Sequence, residues 1–466
     1  MLEIAAMLSS QTAEQKLTTV SATLDFVAGF VAPKTVIIRQ LPSLADQNVF
    51  TVSEQITKLA FSPDQRLIAA VTIDSKVHLF RIDQNQRQFH WTLDCGISGV
   101  STITFSHNSR FLLIASETQT SIEFWSLKHR KRVHIVPMAR QSLMQERLVA
   151  MSDSFIAAVT RKEVELAEQI AVYHVDRDTL YSVSDFPIKT NSAASLQFVH
   201  GNSILVVDSP LYTSAFVYSL QGQLNCTVDL PVNRLGVKQF AVVPDLSLLL
   251  CGCFDSSLRF FALDDGPVAP ILKTAGAERF VTSESVTVFR ESLEVLPPGH
   301  IRQQLHVLGA DLEDVQVTYE KVELGFGAEI AIPSTKSIVD YQVGGNPKVG
   351  IAQLEVTMNK YVAVRADDAA SSVRVYDVTD FRLVAVLLHR APVRHIAWSP
   401  ASMGAKLAVV TGEPRVFVTD IATNETVGIF NVPFAATRLY WGEQCLLVES
   451  HDRVASLRQV TTHKGG

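Results

Sequence analysis

The chain has 466 residues, of which 47% are hydrophobic and 19% are charged, and it carries a formal net charge of −6. This apolar fraction is enough for a sizeable core and excludes a mainly disordered chain. The mild acidity argues against broad nucleic-acid binding, which usually needs a basic face.

The first segment, residues 1–16, is predicted to be either a strand that closes a sheet or a short amphipathic helix. Glu3 stands where a signal peptide carries basic residues, and the apolar stretch from Phe26 to Pro33 is far too short to cross a bilayer. The five cysteines are odd in number and scattered, so we expect no disulfide framework. These features predict a soluble, intracellular protein.

A repeated unit of short apolar strands follows and continues through most of the chain. In its clearest copy, Ile56–Phe61 leads through the turn Ser62-Pro63-Asp64 to an apolar run, Leu67–Val71, and then to Val77–Ile82. Further copies end at Phe124–Leu127, Val217–Leu220, Arg259–Leu263, Val375–Val378 and Val418–Ile421, and weaker ones lie at 17–41, 148–175 and 435–460. We count nine copies.

The spacing of the copies indicates their architecture. Phe61 and Phe105 are 44 residues apart, Val356 and Trp398 are 42 apart, and Trp398 and Trp441 are 43 apart. A period of about 40–45 residues with four strands per unit is typical of WD40 repeats. The sequence therefore predicts an all-β fold, a single closed WD40-like β-propeller with nine blades, with seven or eight blades as alternatives. Trp398 and Trp441 are predicted to be largely buried between sheets.

The region 267–345 interrupts this spacing. We predict blades in 17–266, an insertion with outer strands in 267–345, and the final blades, which close the ring, in 346–466. The strand-like runs Ser285–Phe289 and Val315–Tyr319 are interpreted as outer strands of two adjoining blades.

Few residues of the sequence form patterns that support catalysis. Asp74, Asp255 and Asp452 fall at equivalent positions of their repeats, where an Asx-type turn explains them better than a ring of acids. Cys251 and Cys253 share one strand face and are predicted to be buried core residues. The sequence contains no phosphate-binding loop and no nucleophile elbow. We predict no catalytic, cofactor-binding or metal site, and hence no enzyme.

One dense basic run is a candidate binding site. It contains Lys128, Arg130, Lys131 and Arg132 and is predicted to lie on a turn between blades. Such a run is either a solvated loop or a docking point for an acidic surface, and it lacks the interleaved aromatics of a nucleic-acid groove.

A C-terminal block carries a more specific resemblance. Asn346–Ala352, Ser372–Val378 and Ala391–Trp398 follow one another in an order that resembles the WD-repeat-containing protein eight family of spindle-pole and centrosome proteins. The resemblance implies a non-enzymatic adaptor that anchors microtubule minus ends at the centrosome, spindle pole or basal body. It also implies a coiled-coil partner and a role in cilium assembly. The acidic balance and the lack of a long apolar segment predict no direct nucleic-acid binding and no membrane insertion. The alternatives are a translation-initiation-type propeller scaffold and a propeller hydrolase or metal enzyme.

Overall fold

The computed structural model of the protein describes the following residues: 2–9, 21–22, 26–41, 43, 45–82, 89–95, 99–116, 121–137, 148–161, 167–176, 179–199, 202–209, 214–229, 236–263, 271–273, 279–281, 286–295, 315–325, 327, 329–331, 349–357, 360–443, 445–450 and 453–459. Helical structure accounts for 2% of it. Two 3-10 turns, Pro244–Leu246 and Ala401–Met403, are part of that share.

The described residues form short strands in chain order. The first half contains β1 (Leu2–Ser9), β2 (Ser21–Ala22), β3 (Phe26–Ala32), β4 (Thr35–Gln40), β5 (Ala45–Thr51), β6 (Ile56–Phe61), β7 (Leu67–Thr72), β8 (Lys76–Arg81), β9 (Phe89–Asp94), β10 (Thr102–Phe105), β11 (Phe111–Ala115), β12 (Ser121–Ser126), β13 (Lys131–Pro137), β14 (Val149–Met151), β15 (Phe155–Arg161), β16 (Glu168–Asp176), β17 (Thr179–Pro187), β18 (Ala193–Val199), β19 (Ser203–Asp208), β20 (Ser214–Tyr218) and β21 (Leu224–Asp229). The second half contains β22 (Val237–Val243), β23 (Leu248–Cys253), β24 (Ser257–Ala262), β25 (Ile271–Lys273), β26 (Arg279–Val281), β27 (Val286–Val295), β28 (Val315–Leu324), β29 (Glu329–Ala331), β30 (Ile351–Thr357), β31 (Tyr361–Ala366), β32 (Ser372–Asp377), β33 (Leu383–Leu388), β34 (His395–Trp398), β35 (Lys406–Val410), β36 (Arg415–Asp420), β37 (Glu425–Asn431), β38 (Arg438–Trp441), β39 (Cys445–Glu449) and β40 (Arg453–Gln459).

Successive strands pair into antiparallel sheets, which we number in chain order. The first six sheets are β2–β5, β6–β9, β10–β13, β14–β17, β18–β21 and β22–β25, the seventh is built on β30–β33, the eighth is β34–β37, and the ninth is β38–β40 with β1. Within the described ranges, the chain thus forms an all-β, nine-bladed β-propeller, as the repeat count predicts.

Alternating apolar side chains explain why these segments form strands. In β12 the buried residues are Ile122, Phe124 and Ser126, and the residues between them are half-exposed. The second strand of a sheet is buried on both faces, as in β11, where all five residues are buried. A sheet with two apolar faces must stack against neighbours, so the core lies between successive sheets.

Two compact units divide the chain. One comprises Ala6–Leu272 and His451–Ser456, and a continuous apolar cluster in it joins Phe124 of the third sheet, Ile170 of the fourth and Ile204 of the fifth. The other comprises Met1–Ala5, Lys273–Ser450 and Leu457–Gly466, and its main cluster joins Val375 of the seventh sheet to Phe417 of the eighth.

The N-terminal segment forms a strand rather than a helix. β1 lies at the edge of the ninth sheet, next to β40, so the earliest described residues complete a sheet made of the latest ones. This pairing provides partners for backbone groups that an open edge would leave unpaired.

The inserted strands differ from the prediction. β27 and β28 pair with each other from Val286↔Leu324 to Val295↔Val315, and β27 also runs parallel to β33. The interpretation as outer strands of two adjoining blades is therefore wrong, because the hairpin extends the seventh sheet to six strands. Without the hairpin, the edge of β33 would leave backbone N–H and C=O groups unpaired. Pairing with β27 satisfies these groups.

Buried polar and aromatic side chains attach this hairpin. Glu291 of β27 accepts a hydrogen bond of 3.0 Å from the backbone N–H of Arg390, and the His389 ring lies 3.7 Å from the same carboxylate oxygen. Tyr319 of β28 packs against the Phe417 ring, with centroids 5.2 Å apart. The hairpin is thus held to both the seventh and the eighth sheet.

Trp398 and Trp441 are covered over most of their surface without being fully buried, and Trp398 packs against the apolar cluster that joins the seventh and eighth sheets. Each indole N–H donates to a backbone carbonyl of the preceding sheet: Trp398 to Glu355 at 3.0 Å and Trp441 to Ala397 at 3.1 Å. An indole N–H that is shielded from water needs an acceptor, and here the first strand of the preceding sheet provides it. Both residues are equivalent links between adjacent sheets.

Candidate binding face at the turns of the second and third sheets

The predicted basic run lies within one sheet. Lys128 and Arg130 lie on the turn between β12 and β13, and Lys131 and Arg132 begin β13. The expectation of a turn between blades is wrong, because β12 and β13 are the third and fourth strands of the same sheet. All four side chains are exposed.

Backbone hydrogen bonds fix the shape of this turn. The Arg130 N–H donates to the Ser126 carbonyl at 2.8 Å, and the His129 N–H donates to the Ser126 hydroxyl at 3.2 Å. Arg130 has a φ of 54°, which is in the left-handed region. The Leu127 side chain is buried, and its N–H donates to the Arg110 carbonyl at 2.9 Å. The basic turn is therefore attached to the β10–β11 turn of the same sheet.

The β10–β11 turn adds a cation to the run. Its Ser106 hydroxyl donates to Asn108 Oδ1 at 2.8 Å and accepts the Phe111 N–H at 2.9 Å. The Arg110 N–H donates to the same Asn108 oxygen at 3.1 Å, which fixes the backbone below an exposed Arg110 side chain.

The β6–β7 turn of the second sheet has the same construction. The Ser62 hydroxyl donates to Asp64 Oδ1 at 2.6 Å, and the Arg66 N–H donates to that oxygen at 3.2 Å. The Arg66 carbonyl accepts the Ile82 N–H at 3.0 Å, and this bond places Arg81 at the same end of the sheet. Arg66 and Arg81 are both exposed.

A hydrogen bond joins the turns of these two sheets. The Asp64 N–H donates to the Ser109 hydroxyl at 3.0 Å. The turns of two adjacent sheets thus present one surface, which we call the cationic face; it consists of Arg66, Arg81, Arg110, Lys128, Arg130, Lys131 and Arg132.

The cationic face has a strong excess of positive charge. Residues 61–67, 80–82, 105–111 and 121–137 contain two carboxylates, Asp64 and Glu123, against the seven cations. A third carboxylate, that of the exposed Asp153, lies beside the face, because the Asp153 carbonyl accepts the Asn108 side-chain N–H at 3.2 Å. Glu123 forms an ion pair with Arg132 at 2.7 Å and accepts the Trp125 indole N–H at 2.9 Å. The sign of this face is opposite to the net charge of the chain.

The sequence prediction included four of these seven residues and missed Arg66, Arg81 and Arg110. These three are scattered along the chain and form no run. A signal was nevertheless present, because Arg66 and Arg110 lie 44 residues apart, which is the repeat spacing.

Asp74 and Asp255 accept hydrogen bonds within their own turns. Asp74 accepts hydrogen bonds from the Thr72 hydroxyl and the Lys76 ammonium, both at 2.6 Å, and the bonds from Lys76 and Thr72 lower its pKa. Both carboxylate oxygens of Asp74 are therefore used within the turn.

Asp255 is held in a similar way. Its carboxylate accepts the Ser257 N–H at 3.1 Å and an Arg259 N–H at 3.1 Å. Burial by itself would raise the Asp255 pKa, but the bonds from Ser257 and the Arg259 charge outweigh it and lower the pKa. Asp452 lies outside the described residues.

The two cysteines of the Cys-Gly-Cys sequence lie in the core, as predicted. Cys251 and Cys253 are buried on β23. Burial raises the pKa of the Cys253 thiol to about 11 and that of Cys251 well above its usual range. Thiols with such pKa values stay protonated and react poorly. In the described part of the chain, no three His, Cys, Asp or Glu side chains are grouped so that they could hold a metal ion.

Among the described residues, no helix is both long and apolar enough to cross a membrane.

Comparison with known proteins agrees with this architecture. The model of the anaphase-promoting complex subunit 4 WD40 domain matches residues 59–159, a stretch that contains the whole cationic face. The mouse protein "WD repeat-containing protein WRAP73" is 23% identical over 390 residues, which cover 82% of this chain and 80% of that protein. The chain is thus a WD40 repeat protein, homologous to mouse WRAP73. WD40 propellers are generally non-catalytic scaffolds for protein–protein interaction.

Solved structures show the same fold at low identity. The crystal structure of a eukaryotic initiation factor has a TM-score of 0.56 and 10% identity, and the match covers 90% of this chain and 89% of that one. Sqt1 of Saccharomyces cerevisiae has a TM-score of 0.50 and 10% identity, and that match covers 88% of this chain and 97% of Sqt1.

Proposed function

We propose that this WD40 propeller is a non-enzymatic adaptor that anchors microtubule minus ends and organises the spindle pole, centrosome or basal body. It acts with an elongated coiled-coil partner and other components of the microtubule-organising centre, and it is cytoplasmic and concentrated there. The finer part of this proposal is supported by the resemblance of the Asn346–Trp398 block to spindle-pole WD-repeat proteins.

The observation that carries the adaptor role is the fixed surface made by successive turns. The Asp64 N–H bonds to Ser109 at 3.0 Å, and the Asn108 side-chain N–H bonds to the Asp153 carbonyl at 3.2 Å. These two bonds link the second, third and fourth sheets in series. A surface that is rigid before binding loses little entropy when a partner docks, which favours affinity.

The chemistry of the polar side chains supports the same role. Asp74 and Asp255 are used by their own turns, and the second strands are apolar, as in Leu67–Thr72 and Lys406–Val410. A propeller enzyme should instead bring polar side chains of several sheets together at one point. The translation-initiation alternative gains nothing from the initiation-factor structure, because 10% identity indicates the fold alone.

The location and partners of a tagged copy test this proposal. We expect the tagged protein at a spindle pole, centrosome or basal body, and we expect affinity capture to recover a long coiled-coil protein. Removal of the protein should detach or misplace microtubule minus ends and leave bulk tubulin polymerisation intact. A uniform cytoplasmic distribution with ribosomal subunits as the main captured species would contradict the proposal and favour the translation-initiation scaffold.

A further inference from the structure

We propose that the cationic face binds a Glu- and Asp-rich segment of a protein partner. This inference deepens the proposed adaptor function, on which it rests, by naming the chemistry that the partner must present. The face is made by three turns and the end of β8, which belong to two adjacent sheets, and it contains seven exposed cations.

The fold of the basic turn does not require its cations. The turns that begin at Asp377 and Asp420 connect the third and fourth strands of their sheets, as the basic turn does. Each has a buried residue after the Asp, Val378 or Ile421, whose N–H donates to a carbonyl of the first turn of its sheet, at 2.7 Å and 2.9 Å. The same backbone therefore forms with an Asp at its start and without a basic run.

The face is also fixed before any ligand binds. The Ser126 carbonyl and hydroxyl hold the basic turn, the Arg110 carbonyl ties it to the β10–β11 turn, and Ser109 ties that turn to the second sheet. A ligand can therefore dock without a rearrangement of the backbone of these turns. The common sign of the cations and their spread over two sheets fit an extended ligand that carries several negative charges.

Carboxylates are the ligand chemistry that this face favours. Five of its seven cations are arginines, and a guanidinium group forms paired hydrogen bonds with a carboxylate. A single-stranded nucleic acid would need aromatic platforms for its bases. Trp125, an aromatic side chain beside the face, is half-buried and gives its indole N–H to Glu123.

Screening does not remove this attraction. The Debye length is about 8 Å at physiological ionic strength, so a segment in contact with the face is governed by the nearby cations rather than by distant acids. Binding should weaken steadily as salt is added, because every charge pair is solvent-exposed.

Fluorescence anisotropy with a labelled Glu-rich peptide tests the inference on the full-length protein. The test variant is Lys128→Glu with Arg130→Glu and Lys131→Glu. The matched control is Lys189→Glu with Lys321→Glu and Arg382→Glu, three exposed cations outside the face that give the same change in net charge. Circular dichroism and thermal unfolding establish that both variants fold like the unmodified chain.

We expect the test variant to lose affinity for the peptide by about tenfold or more at low salt, and the control to change it about twofold or less. Equal losses in both variants, or no binding by the unmodified chain, would overturn the inference. A single-stranded oligonucleotide that binds more tightly than the peptide at equal salt would also overturn it and would assign the face to nucleic acid.

Failure of this inference is distinguishable from failure of the proposed function. A protein that does not bind the peptide but still locates to the organising centre contradicts the inference alone. A protein that binds the peptide through this face but is spread uniformly through the cytoplasm contradicts the proposed function alone.

Discussion

The turn at Ser126 and the turn at Asp420 share one backbone but carry opposite charge. Arg130 and Asn424 occupy the same left-handed position, with φ of 54° and 55°. The Leu127 and Ile421 N–H groups each donate to a first-turn carbonyl at 2.9 Å. The comparison shows which features define the turn: the capping side chain, Ser126 or Asp420, the buried residue that follows it, and the residue with a positive φ. The charge of the turn can vary.

The largest predicted effect concerns the buried residue that both turns share. Leu127→Ala and Ile421→Ala should each lower the free energy of unfolding by about 2–4 kcal/mol through lost burial and a residual cavity. Urea unfolding of the two variants checks this. A large loss at one turn and none at the other would break the equivalence of the turns.

The capping residues should have a smaller effect. Ser126 accepts the His129 N–H, whereas Asp420 accepts the N–H groups of Ala422 and Thr423 at 3.0 Å and 3.2 Å. Ser126→Ala should cost about 1 kcal/mol, and Asp420→Ala somewhat more, about 1–2 kcal/mol, because a charged acceptor with two donors is lost. Thermal unfolding of both variants measures the difference, and a larger cost at Ser126 would contradict the assigned roles.

The left-handed position should respond in the opposite direction. Arg130→Gly should raise the free energy of unfolding by about 0.5 kcal/mol, because glycine adopts a positive φ without a steric cost. Asn424→Gly should give less, since asparagine already tolerates this conformation. Chemical unfolding of the pair sharpens the comparison, and a loss of stability on Arg130→Gly would show that this backbone assignment is wrong.

The smallest effect is expected when charge is exchanged between the turns. Ala422→Lys with Asn424→Arg and Glu425→Lys places cations on the acidic turn, and stability should change by no more than about 0.5 kcal/mol. Thermal unfolding measures this. A loss of several kcal/mol would mean that turn charge is under structural constraint, and it would remove the main argument that the cations serve binding.

The repeat spacing predicted the sheets and even the equivalence of Trp398 and Trp441, whose indole groups bond to carbonyls 43 and 44 residues earlier. The acceptors of the two indole N–H groups could not be predicted, because periodicity does not reveal which carbonyl of the preceding sheet each N–H meets. Parallel pairing of β27 with β33 was equally hidden, since alternation within a strand does not identify the strand beside it.

The candidate site was predictable only in part for a similar reason. A local basic run is visible in the chain, whereas Arg66, Arg81 and Arg110 join it through backbone bonds between turns and between sheets. Sequence neighbours reveal a run, but a surface made by several repeats becomes visible only after equivalent positions of the repeats are aligned.

Amide hydrogen exchange with and without a Glu-rich peptide tests the central claim most directly. The account predicts that the peptide slows exchange in 107–110 and 127–132 together, because one ligand covers both turns. It predicts no change in 379–382 and 422–425, which have the same backbone but lack the basic run. Protection that is absent from the first pair of segments, or equal in both pairs, would contradict the claim that the cationic face is the docking surface.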